Sequence, residues 1–85
     1  MTQQRSLSAK KFTGRELLAL NLIQIRAERG LSQEALSLEI GVDRTLVAHI
    51  ERQARNASLD TIDKLARGLG LPISRLFELP NSRSR

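Results

Sequence analysis

Cysteine is missing from all 85 residues, so the chain can form neither a disulfide framework nor a thiolate metal site. That absence is compatible with a reducing compartment. Tryptophan and tyrosine are missing too, and Phe12 and Phe77 are the only aromatic residues. Stacking platforms for single-stranded nucleic acid need exposed rings, which this composition does not supply. A single histidine, His49, leaves no second imidazole for a zinc site. Asp43, Asp60 and Asp63 do not cluster with ligand spacing, so no metal and no cofactor are expected. No nucleophile–base pair or paired-carboxylate motif is visible either, which excludes an enzyme reading. No apolar run approaches the roughly 20 residues of a membrane span, and the first residues are polar rather than signal-like. The expectation is a cytoplasmic protein with no membrane partner.

What is present is positive charge and helical periodicity. The formal net charge is +5. A basic balance points toward an anionic partner. With stacking residues scarce, duplex DNA fits better than a single strand. The length suits one small domain with a compact, mostly helical core.

The stretch from Leu31 to Leu59 reads LSQEALSLEIGVDRTLVAHIERQARNASL. Leu36 and Ile40 fall four apart and share one helix face, while Val47 and Ile50 fall three apart on one face of a second helix. Ser37 is small enough for close helix contact, and Val42 plugs the turn. Gly41 stands where the first helix must end and accepts the left-handed conformation without steric cost. Ser32 and Asp43 are suited to cap the two helices. Two short helices around a glycine turn form a helix-turn-helix, whose second helix can enter a DNA major groove. A plain helical hairpin within a bundle has the same spacing, so pattern alone leaves both readings open.

Around this motif the chain divides simply. Residues 1–12 hold Arg5, Lys10 and Lys11 with no acid and read as a flexible basic arm. Thr13 and Glu16 have capping-box spacing, so a first helix starts there and runs to about Arg29, with Leu18, Leu22 and Ile25 inward and Ile23 on another face. Helices over 33–40 and 44–53 follow, then a polar loop of Arg55, Asn56 and Ala57. Ser58 is a cap for a fourth helix carrying Leu59, Ile62, Leu65, Ala66 and Leu69, stopped by Gly68 and Gly70. Pro72 suits the first turn of a fifth, short helix with Leu76 and Phe77. The expected architecture is an all-α, compact five-helix domain over residues 13–79, with a disordered tail at 80–85.

Taken together, these residues resemble the phage-repressor-like, Xre-type helix-turn-helix family. The resemblance rests on Arg26, Gly30, Leu31, Ser32 and Gln33, on Gly41, Val42, Arg44 and Thr45, and on Ile50, Glu51 and Arg52. Arg55, Asn56, Ser58, Leu59, the segment LARGLGL and the closing RLFE extend it over residues 17–78. The DRT that opens the second motif helix, and the RN after it, are most similar to small restriction–modification controller proteins. The resemblance implies a lambda-repressor-like fold and a transcriptional regulator binding double-stranded DNA. It also implies a homodimer on a two-fold symmetric operator, with Leu76 and Phe77 of the terminal helix at the subunit contact. Antitoxins share much of the pattern; for them a toxin protein would be a further partner. The chain departs from the family at Gln53, where glycine is frequent, at Ala57, where proline is common, at Ser37 and at Ile23.

Candidate site residues follow from position on the second motif helix and from the resemblance. Arg44 and Thr45 occupy its first turn; arginine can bond guanine O6 and N7, and threonine a base edge or a thymine methyl. Solvated or phosphate-bound arginine is the alternative for Arg44. Ala48 and His49 share the exposed face, His49 aligning with a base-reading position of the family. Asp43 belongs to the DRT segment and is grouped with them. Gln33 matches a phosphate-contact position at a helix N-terminus, where unpaired N–H groups suit anions. Arg52, Arg55 and Asn56 are expected to position the helix on the backbone. Glu51 is read as structural, paired with Arg26 or another arginine.

Overall fold

The computed structural model describes residues 12–54 and 56–80. The arm over residues 1–11, Arg55, and the tail beyond residue 80 lie outside them. Four α-helices, α1 (Gly14–Arg29), α2 (Gln33–Ile40), α3 (Arg44–Glu51) and α4 (Leu59–Leu69), are followed by a 3-10 turn (Ile73–Phe77). The described residues contain no strand.

Local chemistry explains most helix boundaries. The Thr13 hydroxyl accepts from the Glu16 N–H at 3.1 Å, and the Glu16 carboxylate accepts from the Thr13 N–H at 2.8 Å, completing the expected capping box. Ser32 caps α2 through the Ala35 N–H, and Ser58 caps α4 through the Thr61 N–H. Gly41 closes α2 at φ 76°, inside the left-handed region where a Cβ would be strained. Asp43 differs from expectation. Its backbone has N-cap geometry but its side chain makes no capping hydrogen bond and stays exposed. Its carbonyl alone receives the Leu46 N–H, at 3.0 Å.

The core gathers Leu18, Leu22 and Ile25 of α1, Leu36 and Ile40 of α2, Val47 and Ile50 of α3, and Ile62, Leu65, Ala66 and Leu69 of α4 around Leu76. Burying one such aliphatic side chain contributes about 1.5–3 kcal/mol. α3 touches both α1 and α2, so its orientation is set from two sides. Leu59, expected inward, is 79% exposed. Helical side chains tilt toward the N-terminus, so the first residue of α4 points past the start of the core.

The C-terminal element is a 3-10 turn rather than a fifth α-helix. A buried polar side chain that the periodicity gave no reason to single out pins this segment to α1. Asn21, only 3% exposed, donates Nδ2 to the carbonyls of Leu17 (2.9 Å), Leu76 (3.1 Å) and Glu78 (2.9 Å), and its Oδ1 accepts from Arg75 Nη1 at 2.9 Å. The Leu76 and Glu78 carbonyls are therefore turned toward α1. Five residues are also too few to offset the entropy of nucleating an α-helix. Leu76 thereby becomes fully buried within its own chain.

Gly68 does not stop α4 but lies within it. A Cβ there would sit 2.7 Å from the Cβ of Ile40 and 3.0 Å from its carbonyl oxygen, so the absent side chain permits the α2–α4 contact. Gly68→Ala should lower stability by about 2 kcal/mol despite alanine's better helix propensity, because backbone atoms cannot yield like a flexible side chain. Urea unfolding monitored by circular dichroism tests this, with an unchanged or raised midpoint as the contrary result.

Candidate nucleic-acid interface

α3 is built to be read from one side. Val47 and Ile50 are 0% and 3% exposed and lock its inner face into the core. Thr45, Ala48 and His49 fall on the opposite side at 3.6 residues per turn, with Arg44 on the flank nearer α2. Arg44 and Thr45 are exposed, and Ala48 and His49 are half-buried.

The α-helical run is shorter than expected. It stops at Glu51, and Arg52 and Gln53 form a turn in which the Gln53 N–H donates to the Ile50 carbonyl at 3.0 Å. Gln53 adopts φ 58°, the left-handed conformation that glycine takes most readily. This explains why a residue other than glycine here still ends the helix: the adjoining hydrogen bonds impose the turn. Arg52 stays exposed just past the helix.

Beneath this face lies a charged joint. Glu51, its side chain only 5% exposed, accepts from Arg26 Nε at 2.8 Å and Nη2 at 3.0 Å. A third Arg26 donor, Nη1, reaches the Leu31 carbonyl at 3.1 Å. Gln33 Nε2 also donates to Glu51, at 2.8 Å. The Arg26–Glu51 pair expected from sequence is thus present. The hydrogen bond from Arg26 to the Glu51 carboxylate, more than the charge attraction alone, holds the guanidinium above even arginine's high ordinary pKa. The inward Gln33 contact was not expected. Its amide nitrogen anchors the start of α2 to the end of α3.

Two further contacts were missed. Arg44 Nη1 lies 3.3 Å from Glu34 Oε1, bridging the first turns of α3 and α2. Asn56, an expected backbone contact, accepts a hydrogen bond from Arg15 Nη2, which brings a cation from α1 to the loop after α3. The Glu34–Arg44 pair is ten positions apart and the Arg15–Asn56 pair forty-one, so no local pattern announces either. The first turns of α2 and α3 border an open groove of about 480 Å³, lined by Gln33, Glu34, Arg44, Thr45 and Ala48, with Arg26 and Ser32 beside them. Arg55 lies outside the described residues. Gln33, Arg44, Thr45 and Ala48 therefore meet around one concavity; His49 and Arg52 follow along α3, Asn56 lies beyond it, and Asp43 precedes it.

The other expected surface is divided. Leu76 has no area left for a second subunit, because Asn21 draws its turn inward, while Phe77 remains half-buried.

Comparison with known proteins agrees with this geometry. A family model described as helix-turn-helix matches residues 22–76, and the chain belongs to that family, an all-α, lambda-repressor-like class of DNA-binding transcriptional regulators rather than enzymes. It is 39% identical over 69 residues to a Neisseria hypothetical transcription factor from Neisseria meningitidis, an alignment spanning 81% of this chain and 65% of that protein. It is 41% identical to Control protein C.BamHI of Bacillus amyloliquefaciens, over 75% of this chain and 80% of the relative. The crystal structure of the restriction-modification controller protein C.AhdI from Aeromonas hydrophila superposes with a TM-score of 0.65 at 41% identity, covering 72% of this chain and 92% of that one.

The charged joint makes a direct demand on stability. Glu51→Gln should cost about 2 kcal/mol, since it removes the charge that Arg26 was placed to meet while keeping the side chain's shape. A shift of the denaturation midpoint at constant m-value is the expected readout; a neutral variant would mean that solvent replaces the pair without loss.

Proposed function

We propose that the protein is a sequence-specific regulator of transcription that binds double-stranded DNA as a homodimer on a two-fold symmetric operator, in the manner of a restriction–modification controller protein acting in the cytoplasm. One observation carries the DNA-reading part: α3 presents Arg44, Thr45, Ala48 and His49 outward while Val47 and Ile50 hold its other face in the core. A helix so exposed along one side, with a groove at its first turn, fits a major groove about 12 Å wide. Arg44, exposed on the first turn, is the residue for a base edge, and Arg52 and Asn56, exposed beyond the helix, are the residues for phosphates. The similarity to controller proteins, two of them matched at about 41% identity, supports the biological role.

Dimer formation is assigned to the α1 and 3-10 end. Among the described residues, Leu38 (76%) and Leu59 (79%) are singly exposed on α2 and α4, whereas Leu20 (42%), Ile23 (39%) and Ile73 (41%) lie on two elements that pack together. A second copy covering them would replace the contact expected of Leu76.

Binding selection on randomised duplexes tests the reading of bases. Arg44→Ala should cost about 1–3 kcal/mol on the best site and relax preference at one base pair in each half-site. Arg52→Ala should weaken all sequences evenly and lower the slope of log affinity against log salt by about one. The opposite assignment of effects would reverse the orientation of α3 in the groove.

Sedimentation over a concentration series addresses assembly. The wild type should reach a dimer, and Ile23→Asp should remain monomeric yet folded. A wild-type monomer at every concentration, with tight operator binding retained, contradicts the dimer.

A further inference from the structure

We infer that Glu34 is a specificity-determining positioning residue, whose carboxylate steers Arg44 toward base edges and withholds it from DNA phosphates. The inference rests on the reading of Arg44 as a base contact. Glu34 lies in the first turn of α2 and Arg44 is the first residue of α3, and their 3.3 Å contact spans the groove between the two helix starts. Both side chains remain largely exposed, at 63% and 66%. An exposed pair of this kind adds little to stability. Its consequence lies in which partners Arg44 can meet.

A cation at the start of a helix meets the positive end of the macrodipole, and the Asp43 side chain makes no capping bond there. Among the described residues, Glu34 is the acid that the fold brings into an ion pair with Arg44. The contact engages Nη1 through one carboxylate oxygen. A guanidinium carries five N–H donors, so a two-pronged fork for guanine O6 and N7 is retained. A phosphate is a different competitor. It would have to approach the same cation beside a carboxylate, and like charges brought together at the groove disfavour that arrangement. On a matching sequence Arg44 keeps Glu34 and gains a base; on a wrong sequence the compensating phosphate contact is blocked. Discrimination by penalising the wrong partner needs no additional attractive contact.

The test uses the full chain and compares wild type, Glu34→Gln, Arg44→Ala and the double variant on randomised duplexes at several salt concentrations. Circular dichroism confirms that each is folded. Glu34→Gln should bind random duplex several-fold more tightly and steepen the salt slope by about one, as Arg44 turns to a phosphate. It should reduce preference at the Arg44 base pair by about tenfold. In the Arg44→Ala background, Glu34→Gln should cause no further loss of preference. If Arg44→Ala relaxes that preference but Glu34→Gln leaves it intact, the role given to Glu34 is overturned while base reading by Arg44 stands. If Arg44→Ala itself leaves the preference intact, base reading by Arg44 falls, and the steering role falls with it.

Discussion

Everything that the exposed face of α3 can do depends on the carboxylate of Glu51. It receives two donors from Arg26 of α1 and one from Gln33 of α2, so a single side chain ties three helices together. Apolar packing through Val47 and Ile50 holds α3 close to its neighbours, but aliphatic contacts tolerate small rotations. Hydrogen bonds to a planar guanidinium do not. With its side chain nearly sealed from water, Glu51 would carry a large desolvation cost if either partner were displaced. The joint therefore fixes the rotation of α3 about its own axis, and with it the direction in which Thr45, Ala48 and His49 face.

The two ends of α3 are held in contrasting ways. At the C-terminal end the contacts are buried and bidentate. At the N-terminal end the Glu34–Arg44 pair is exposed and single-pronged. Arg15, bonded to Asn56, ties the start of α1 to the loop after α3.

At the far end, Asn21 performs the equivalent task for the C-terminal turn. Its buried amide bonds the Leu17 carbonyl within α1, and three further contacts, to Leu76, Glu78 and Arg75, pin residues beyond α4 onto α1. Arg75, itself only 11% exposed, joins that cluster within 3.7 Å of Glu28 and Glu78. A short segment that could not hold a helix by propensity is thus held by polar contacts, and Leu76 completes the core as a result. Ile73 is left outward, as Leu20 and Ile23 of α1 are.

The sequence alone was enough to locate the helices, their caps and the outward face of α3, because each depends on neighbours within about one turn. Thr13 with Glu16, Ser32, Ser58 and Gly41 act through backbone groups three or four residues away, and the spacing of Val47 and Ile50 already sets which residues face out. The Arg26–Glu51 pair was legible through family resemblance rather than spacing. Tertiary structure decided the rest. Gln33 turns inward to a residue 18 positions away, Asn21 reaches carbonyls 55 and 57 positions away, and Gly68 serves the approach of Ile40 rather than the end of α4. Asp43 is suited to cap by residue type but does not, and the closing segment is a 3-10 turn that Asn21 pins to α1. Such outcomes depend on which elements meet in space. Periodicity and capping chemistry, being local, carry no record of that meeting.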